Sequence, residues 1–436
     1  MKKWIQNLIG DLKPGEGLNV FLLSMNLFIA MSGYYIIKTV REPLILESGG
    51  AAVKTYSSAA QAIVIAFLFI PAYAWVSKRV DRIRLNYGLI LFFIFSTELF
   101  WVLAKFSVPN LGIFFFIWVG LFSLSIVSQF WSYSNDLFSK EAGERLFPII
   151  AIGATLGSPI GSLVAAQLFK MKIDPYSMLH LTAGMLVVHA ILYKIIHGRI
   201  GQRIEQKEPK EEKEKIESEN GFLLVLKNRY LGLIAVMLIL LNLVNTTGEY
   251  ILSSYVVEAA AIASQGAPDL SVATKAFVGA FYGDFFFVVN IVTFLVQVFL
   301  VSKLVKYLGL GGVLFLLPLI ALGTYGLVFL GVGFTVFRVG KTAENSADYS
   351  AMNTAKAMLW LPTTKKEKYV AKQVIDTFFV RFGDVLSAVF VYLGTKVFTW
   401  EVSFFGLANV IFIVGWIFIA WRVYVGYQKG GNFEET

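Results

Sequence analysis

The sequence predicts an all-α integral membrane protein, a bundle of twelve transmembrane helices arranged as two six-helix halves. Three observations predict it: a strongly apolar composition, apolar runs of bilayer length along the whole chain, and one charged stretch at its centre. Hydrophobic residues make up 57% of the 436 positions and charged residues 15%, against about 25% charged in an ordinary soluble domain. Mean hydropathy is +0.67. Runs of about 20 apolar residues suffice to cross a bilayer.

The elements follow in order. Residues 1–17, MKKWIQNLIGDLKPGEG, are short and amphipathic and are interrupted by Pro14 and Gly15. They lack the apolar core and cleavage site of a signal peptide and read as a cytoplasmic helix on the membrane face. A first six-helix half covers 18–197, with spans at 18–40, 55–78, 85–104, 110–133, 146–169 and 176–197. Residues 198–228 form a linker whose core, RIEQKEPKEEKEKIESEN at 203–220, has no apolar stripe and near-balanced charge, as expected of a solvated connection. A second half covers 229–424, with spans at 229–256, 277–301, 308–328, 332–358, 371–396 and 402–424, and 425–436 is a tail. Alternate loops are basic: Lys2, Lys3 and Lys13; Lys78, Arg79, Arg82 and Arg84; Lys140 and Arg145; Arg199 to Lys227; Lys303 and Lys306; Lys365, Lys366, Lys368 and Lys372. The positive-inside rule places these loops and both termini in the cytoplasm, for a monomeric multi-pass protein of the inner (plasma) membrane. The net charge of +9 is then topological and points to no nucleic acid.

Several chemistries are excluded. The chain has no cysteine, so thiolate metal sites and cysteine nucleophiles are ruled out. Three histidines, His180, His189 and His197, stand 9 and 8 apart, a spacing that suits no metal, and they read as packing residues. No HExxH, paired DDxxD carboxylates or nucleophile with a base is present. The chain is read as no enzyme, with no catalytic residue, metal or cofactor.

The halves show weak internal symmetry. GYYII at 33–37 matches GEYIL at 248–252, and VSK closes the second span of each half at 76–78 and 301–303. Two six-helix halves, a charged linker and such symmetry resemble the major-facilitator architecture, as does the RVDRIR loop. In that architecture spans 1, 4, 7 and 10 line the central path, and the polar stripes fall on those four. Span 10 carries Arg338, Lys341, Asn345, Asp348 and Lys356. Span 7 carries Asn242, Asn245, Glu249 and Ser253, and span 4 carries Ser125, Gln129, Ser132 and Asp136. Span 1 has Tyr34, Lys38 and Arg41, with Glu42 beside them. A charge at the bilayer centre costs about 2.5–3.5 kcal/mol even on the lenient insertion scale, so these residues are expected to face an aqueous path or one another. Arg338, Lys341, Glu344 and Asp348 also stand at i,i+3 and i,i+4 spacings that let them neutralise one another. Arg381 and Asp384 in span 11 stand one turn apart in the same way. Cations in such a path suit a small anion, with Arg favouring phosphate or carboxylate. Tyr34 and Tyr35 offer a stacking face. In span 5, GATLGSPIG spaces Gly153, Gly157 and Gly161 for close helix contact.

Three segments resemble the bacterial and plastid ATP/ADP antiporters: YYIIKTVREPLIL at 34–46, FWSYSND at 130–136, and YSAMNTAKAMLWLPTTKKEKYVAKQVIDTFFVRFGDVLSA at 349–388. The resemblance implies nucleotide exchange by alternating access. It also implies that four charged positions matter. Arg41 stands where the family has Lys, and Asp136 where it has Glu. Asn245 stands where the family has Glu, with Glu249 where it tends to have Lys, and Asp384 replaces the Lys of a GKSG segment. The expected substrate site is therefore Tyr34, Lys38, Arg41, Gln129, Asp136, Asn245, Glu249, Arg338, Lys341 and Asn345. Asp348, Arg381 and Asp384 are expected to form coupling pairs. The competing expectation is a proton-coupled transporter of another small solute, with Asp136, Glu249 or Asp384 as proton carrier.

Overall fold

Long apolar runs leave no backbone partner except the helix itself, since lipid cannot hydrogen-bond a peptide group. The computed structural model describes residues 12, 13, 15–201, 221–364 and 367–430, and every regular element among them is helical. Most of the expected membrane-face helix at 1–17, most of the linker and residues 431–436 lie outside the described residues. Eight helices among the described residues are long and apolar enough to cross a membrane.

The first, α1, runs Gly17–Ser77. The expected loop between spans 1 and 2 is not a loop. The helix continues to Gly49 and resumes at once, because Gly50 takes a φ of 73° that side chains disfavour. There follow α2 (Arg82–Lys105), α3 (Leu111–Leu137), α4 (Lys140–Lys170) and α5 (Leu179–Ile200). Next come the short α6 (Gly221–Lys227), α7 (Arg229–Ala263), α8 (Leu270–Leu314) and α9 (Leu316–Phe329). α10 (334–358) is widened by a π turn at Asp348–Met352. α11 (367–397) contains three such turns. α12 is Val402–Gln428.

The chain forms two compact units. The first comprises residues up to Ser48, Phe69–Lys213 and Ala260–Phe287. Its core is aromatic: Phe93, Phe115, Trp118 and Phe122 are buried together with Val40 and Leu179. The small-residue stripe of α4 does what its spacing predicts. A methyl group on Gly153, Gly157 or Gly161 would overlap the backbone carbonyls of Ser24, Phe28 or Ser32 on α1. The start of α8 packs the same way on α4, where Gly283 lies against Ala166. Ion pairs Glu47–Lys275 at 3.1 Å and Lys170–Asp284 at 3.0 Å tie α8 to α1 and α4. Glu16 and Arg145 make a two-pronged pair at 2.7 and 2.8 Å, and the guanidinium holds the Glu16 carboxyl down at about 2.

The second unit comprises Gly49–Leu68, Glu214–Ala259 and Val288–Thr436. The second section of α1 thus packs with the C-terminal sequence, and the first section of α8 with the N-terminal sequence. Trp416, Tyr325, Phe405 and Tyr230 are the largest buried side chains of this unit. Asn409 of α12 donates to the Val244 carbonyl of α7 at 3.3 Å. Large apolar side chains such as Phe95 and Phe67 stay exposed, as lipid-facing surface requires.

Candidate functional site

Within the second unit, three helices and one section of α1 converge on a buried charged cluster. The 3.6-residue repeat brings Asn245, Glu249 and Ser253 toward one side of α7, and Lys341, Glu344 and Asn345 toward one side of α10. Lys341 is fully buried. Its ammonium donates to Asn245 Oδ1 at 2.8 Å and to Glu344 Oε1 at 2.9 Å. The Tyr325 hydroxyl of α9 donates to the same Glu344 oxygen at 3.1 Å. Glu249 links two cations, with Oε1 3.8 Å from Lys341 Nζ and Oε2 3.4 Å from Lys54 Nζ. Lys54 also donates to Ser253 Oγ at 3.1 Å, and Asn345 donates to Glu249 at 3.4 Å.

Two lysines face two glutamates here, and this balance lets Lys54, Lys341 and Glu344 be buried, while Glu249 stays partly exposed. Taking either ion out of water alone costs several kcal/mol. Close approach depends on Gly248, because a side chain there would overlap the Tyr325 hydroxyl and crowd Lys341 Nζ. One polar atom is left over: the buried Oε2 of Glu344 has no hydrogen-bond partner among the described residues.

A second group in this unit surrounds Asp384. Thr246 of α7 donates to its Oδ1 at 2.7 Å, and Arg381 Nη1 lies 3.6 Å from Oδ2. Asn242 donates to the Val380 carbonyl at 2.9 Å. The polar face expected on α7 is therefore divided, Asn242 and Thr246 facing α11 while Asn245, Glu249 and Ser253 face the lysines. Asp348 pairs with Lys356 at 3.5 Å. Arg338 of α10 is half-buried.

In the first unit, Tyr34 stacks on Phe122 with centroids 6.3 Å apart. Lys38 Nζ lies 4.4 Å from the ring centre of Phe286 and 4.9 Å from that of Tyr35. The Arg41 guanidinium lies 4.4 Å over Phe116 and bonds the neighbouring Glu42 through Nε at 3.0 Å. Gln129 donates to the Tyr73 hydroxyl at 2.6 Å. Asp136 is exposed near the end of α3. The three histidines do not gather: His189 is buried, His180 meets Glu98 at 2.8 Å, and His197 approaches Tyr133. No cluster able to hold a metal occurs among the described residues.

Sequence reasoning missed Lys54 and Tyr325. Lys54 falls just before the expected start of a span. Its signal is the AAVK that follows Gly49-Gly50, which reads as a helix already begun. Tyr325 is a lone aromatic hydroxyl in LGTYGLVFL, and only the neighbouring helices give it a role.

The chain is similar over nearly its whole length to solved membrane transporters. The nucleoside transporter NupG superposes with a TM-score of 0.64 at 14% identity, covering 94% of this chain and 99% of that one. A POT family transporter in complex with 5-aminolevulinic acid gives 0.66 at 14%, covering 98% and 100%. A bacterial homologue of the iron transporter ferroportin, in an inward-facing state, gives 0.62 at 14%, covering 92% and 98%. The fold is of the major-facilitator type. No protein-family model matches the chain, and no curated protein matches it.

Proposed function

We propose that the protein is a secondary transporter that carries a small anionic solute by alternating access, and that the solute is a nucleotide exchanged in the ATP/ADP manner. The observation that carries the transporter reading is a neutral cluster of charges buried within a helical unit of major-facilitator fold. Packing alone would be served more cheaply by apolar residues. Membrane transport is also the role of the similar solved structures, among them a nucleoside transporter. The anionic solute is supported by Lys38 and Arg41, which lie over aromatic rings beside the stacked Tyr34. Cations and ring faces suit a phosphorylated base. The nucleotide itself rests on the resemblance of the segments at 34–46, 130–136 and 349–388.

The neutral cluster changes what each lysine does. With Glu344 at 2.9 Å, Lys341 is no naked charge that would hold an empty carrier in place. An anion reaching it must displace a carboxylate. Arg338, Lys38 and Arg41 are the further cations of the proposed solute path. The basic loops support an inner-membrane orientation with both termini in the cytoplasm.

The test is counterflow from liposomes preloaded with labelled ATP. External unlabelled nucleotide should release the label, and Arg338→Gln should slow release by about tenfold, a loss of about 1.4 kcal/mol. Net efflux without counter-substrate overturns exchange. Absence of release from vesicles holding inserted protein overturns the nucleotide.

One observation favours a second reading, proton-coupled movement of another solute. Glu344 keeps a buried oxygen without a partner, a place where a proton could reside within a cluster that is otherwise paired. That reading requires uptake to follow an imposed pH gradient without counter-substrate, and Glu344→Gln should abolish the dependence on the gradient.

A further inference from the structure

α11 carries a polar group that the reading above does not use. A cavity of about 440 Å³ lies wholly within the second unit, between α1, α6 and α11. Its walls include Ile63 and Phe67 of α1, Phe222 of α6, and Phe378 and Phe382 of α11. Phe222 and Phe67 lie against Phe378, with centroids 5.0 and 6.1 Å apart. Phe67, Ile63 and Phe382 are all well exposed, so the cavity opens onto the apolar surface that a bilayer would cover.

One side chain in this lining is charged, Arg381, close to the midpoint of α11. Its ion-pair partner is Asp384 at 3.6 Å, longer than a hydrogen bond, and that carboxylate already accepts the Thr246 hydroxyl at 2.7 Å. A guanidinium has five N–H donors in a planar fork. One ion pair leaves donors of the fork to be satisfied, and beside an apolar space unsatisfied donors and a charge are both costly. A cavity of this size falls in the range that holds a small molecule, and its chemistry is that of an amphipathic anion.

We infer that this cavity binds a long-chain fatty acid drawn from the bilayer, with its carboxylate on Arg381 and its chain between the phenylalanines of α1, α6 and α11. Two carboxylate oxygens match the guanidinium fork. A phosphate head would bring further acceptor oxygens into a lining with no other charged donor, and they would stay unpaired. The open apolar side admits the chain from the bilayer without passage through water. The site is separate from the Lys341 cluster and does not depend on which solute is transported.

The experiment uses the full-length protein in lipid nanodiscs and a palmitate probe bearing a diazirine on its chain, with adducts mapped by mass spectrometry. Adducts are expected on peptides containing 62–67 and 378–385. Free palmitate should suppress them and hexadecanol should not. Arg381→Met should lower labelling at least about tenfold, equivalent to about 1.4 kcal/mol, while Arg381→Lys keeps part of it. Ile63→Trp, which fills the cavity and leaves the charge, should lower it as well. Equal competition by hexadecanol, undiminished labelling in Arg381→Met, or adducts spread over the lipid-facing surface would overturn the inference. If Arg381→Met fails to elute as a single species, the palmitate and hexadecanol competition on the unaltered protein decides by itself.

Discussion

Two polar stripes look alike as sequence and are solved differently in space. On α1, Lys38 and Arg41 lie over the rings of Tyr35, Phe286 and Phe116, and Arg41 pairs with the adjacent Glu42. On α10, Lys341 is closed in by Asn245, Tyr325 and Glu344, with Glu249 carrying the chain of charges to Lys54. The first arrangement joins cations to aromatic faces and a sequence neighbour. The second assembles four segments that are remote in sequence. A cation on a ring face gains about 0.5–2 kcal/mol without any carboxylate. A lysine closed in by carboxylates is stabilised only while every partner is present.

The strongest way to break this comparison is to remove one member of the neutral cluster. Glu344→Leu removes the nearer of the two carboxylates beside the buried Lys341 ammonium and leaves only Glu249 at 3.8 Å, and stability should fall by about 3–5 kcal/mol. Replacing both Lys341 and Glu344 by Met should return most of that loss, as read by thermal unfolding of the purified protein. If the single and double variants melt together, the two residues are not coupled.

A smaller effect is expected at the aromatic platform. Phe286→Leu keeps an apolar side chain and removes the ring under Lys38, so stability should fall by about 1–2 kcal/mol. A double-mutant cycle with Lys38→Met should show a coupling of about 0.5–2 kcal/mol. Zero coupling would mean that the ring only fills space.

The smallest effect belongs to an ion pair whose carboxylate, Glu16, precedes the first span. The Glu16 carboxyl is held at about 2, below its ordinary 4.5, by Arg145. Its contribution is therefore complete above about pH 4.5 and lost as the pH falls toward 2. Arg145→Met should lower the melting temperature slightly at pH 7, and the gap to the unaltered protein should close across that window. A gap that persists at low pH would show that Arg145 acts through packing.

Much of this architecture was legible in the sequence because its causes are local. Apolar runs become helices, and the stripe Gly153, Gly157, Gly161 predicts an intimate helix contact that the carbonyls of Ser24, Phe28 and Ser32 supply. The polar faces of α7 and α10 were legible too, since a helical repeat places Asn245 with Glu249 and Lys341 with Glu344. What these faces meet was not. An aqueous path and mutual neutralisation both satisfy the pattern, and the choice depends on residues such as Lys54 and Tyr325 that carry no periodic signal. The break between spans 1 and 2 shows the same limit. Gly49-Gly50 reads as a turn in any sequence, yet whether a helix resumes at once depends on what the next segment packs against.

By itself the sequence determined an all-helical membrane protein with charges on particular helix faces, because bilayer thickness, backbone hydrogen bonding and the 3.6-residue repeat act within a single segment. Only the tertiary structure decided that Lys341 is buried beside Glu344, that Glu249 joins it to Lys54, and that Arg381 is among the residues lining an apolar cavity. Burial and charge compensation are properties of several segments at once, and no single one of them encodes the result.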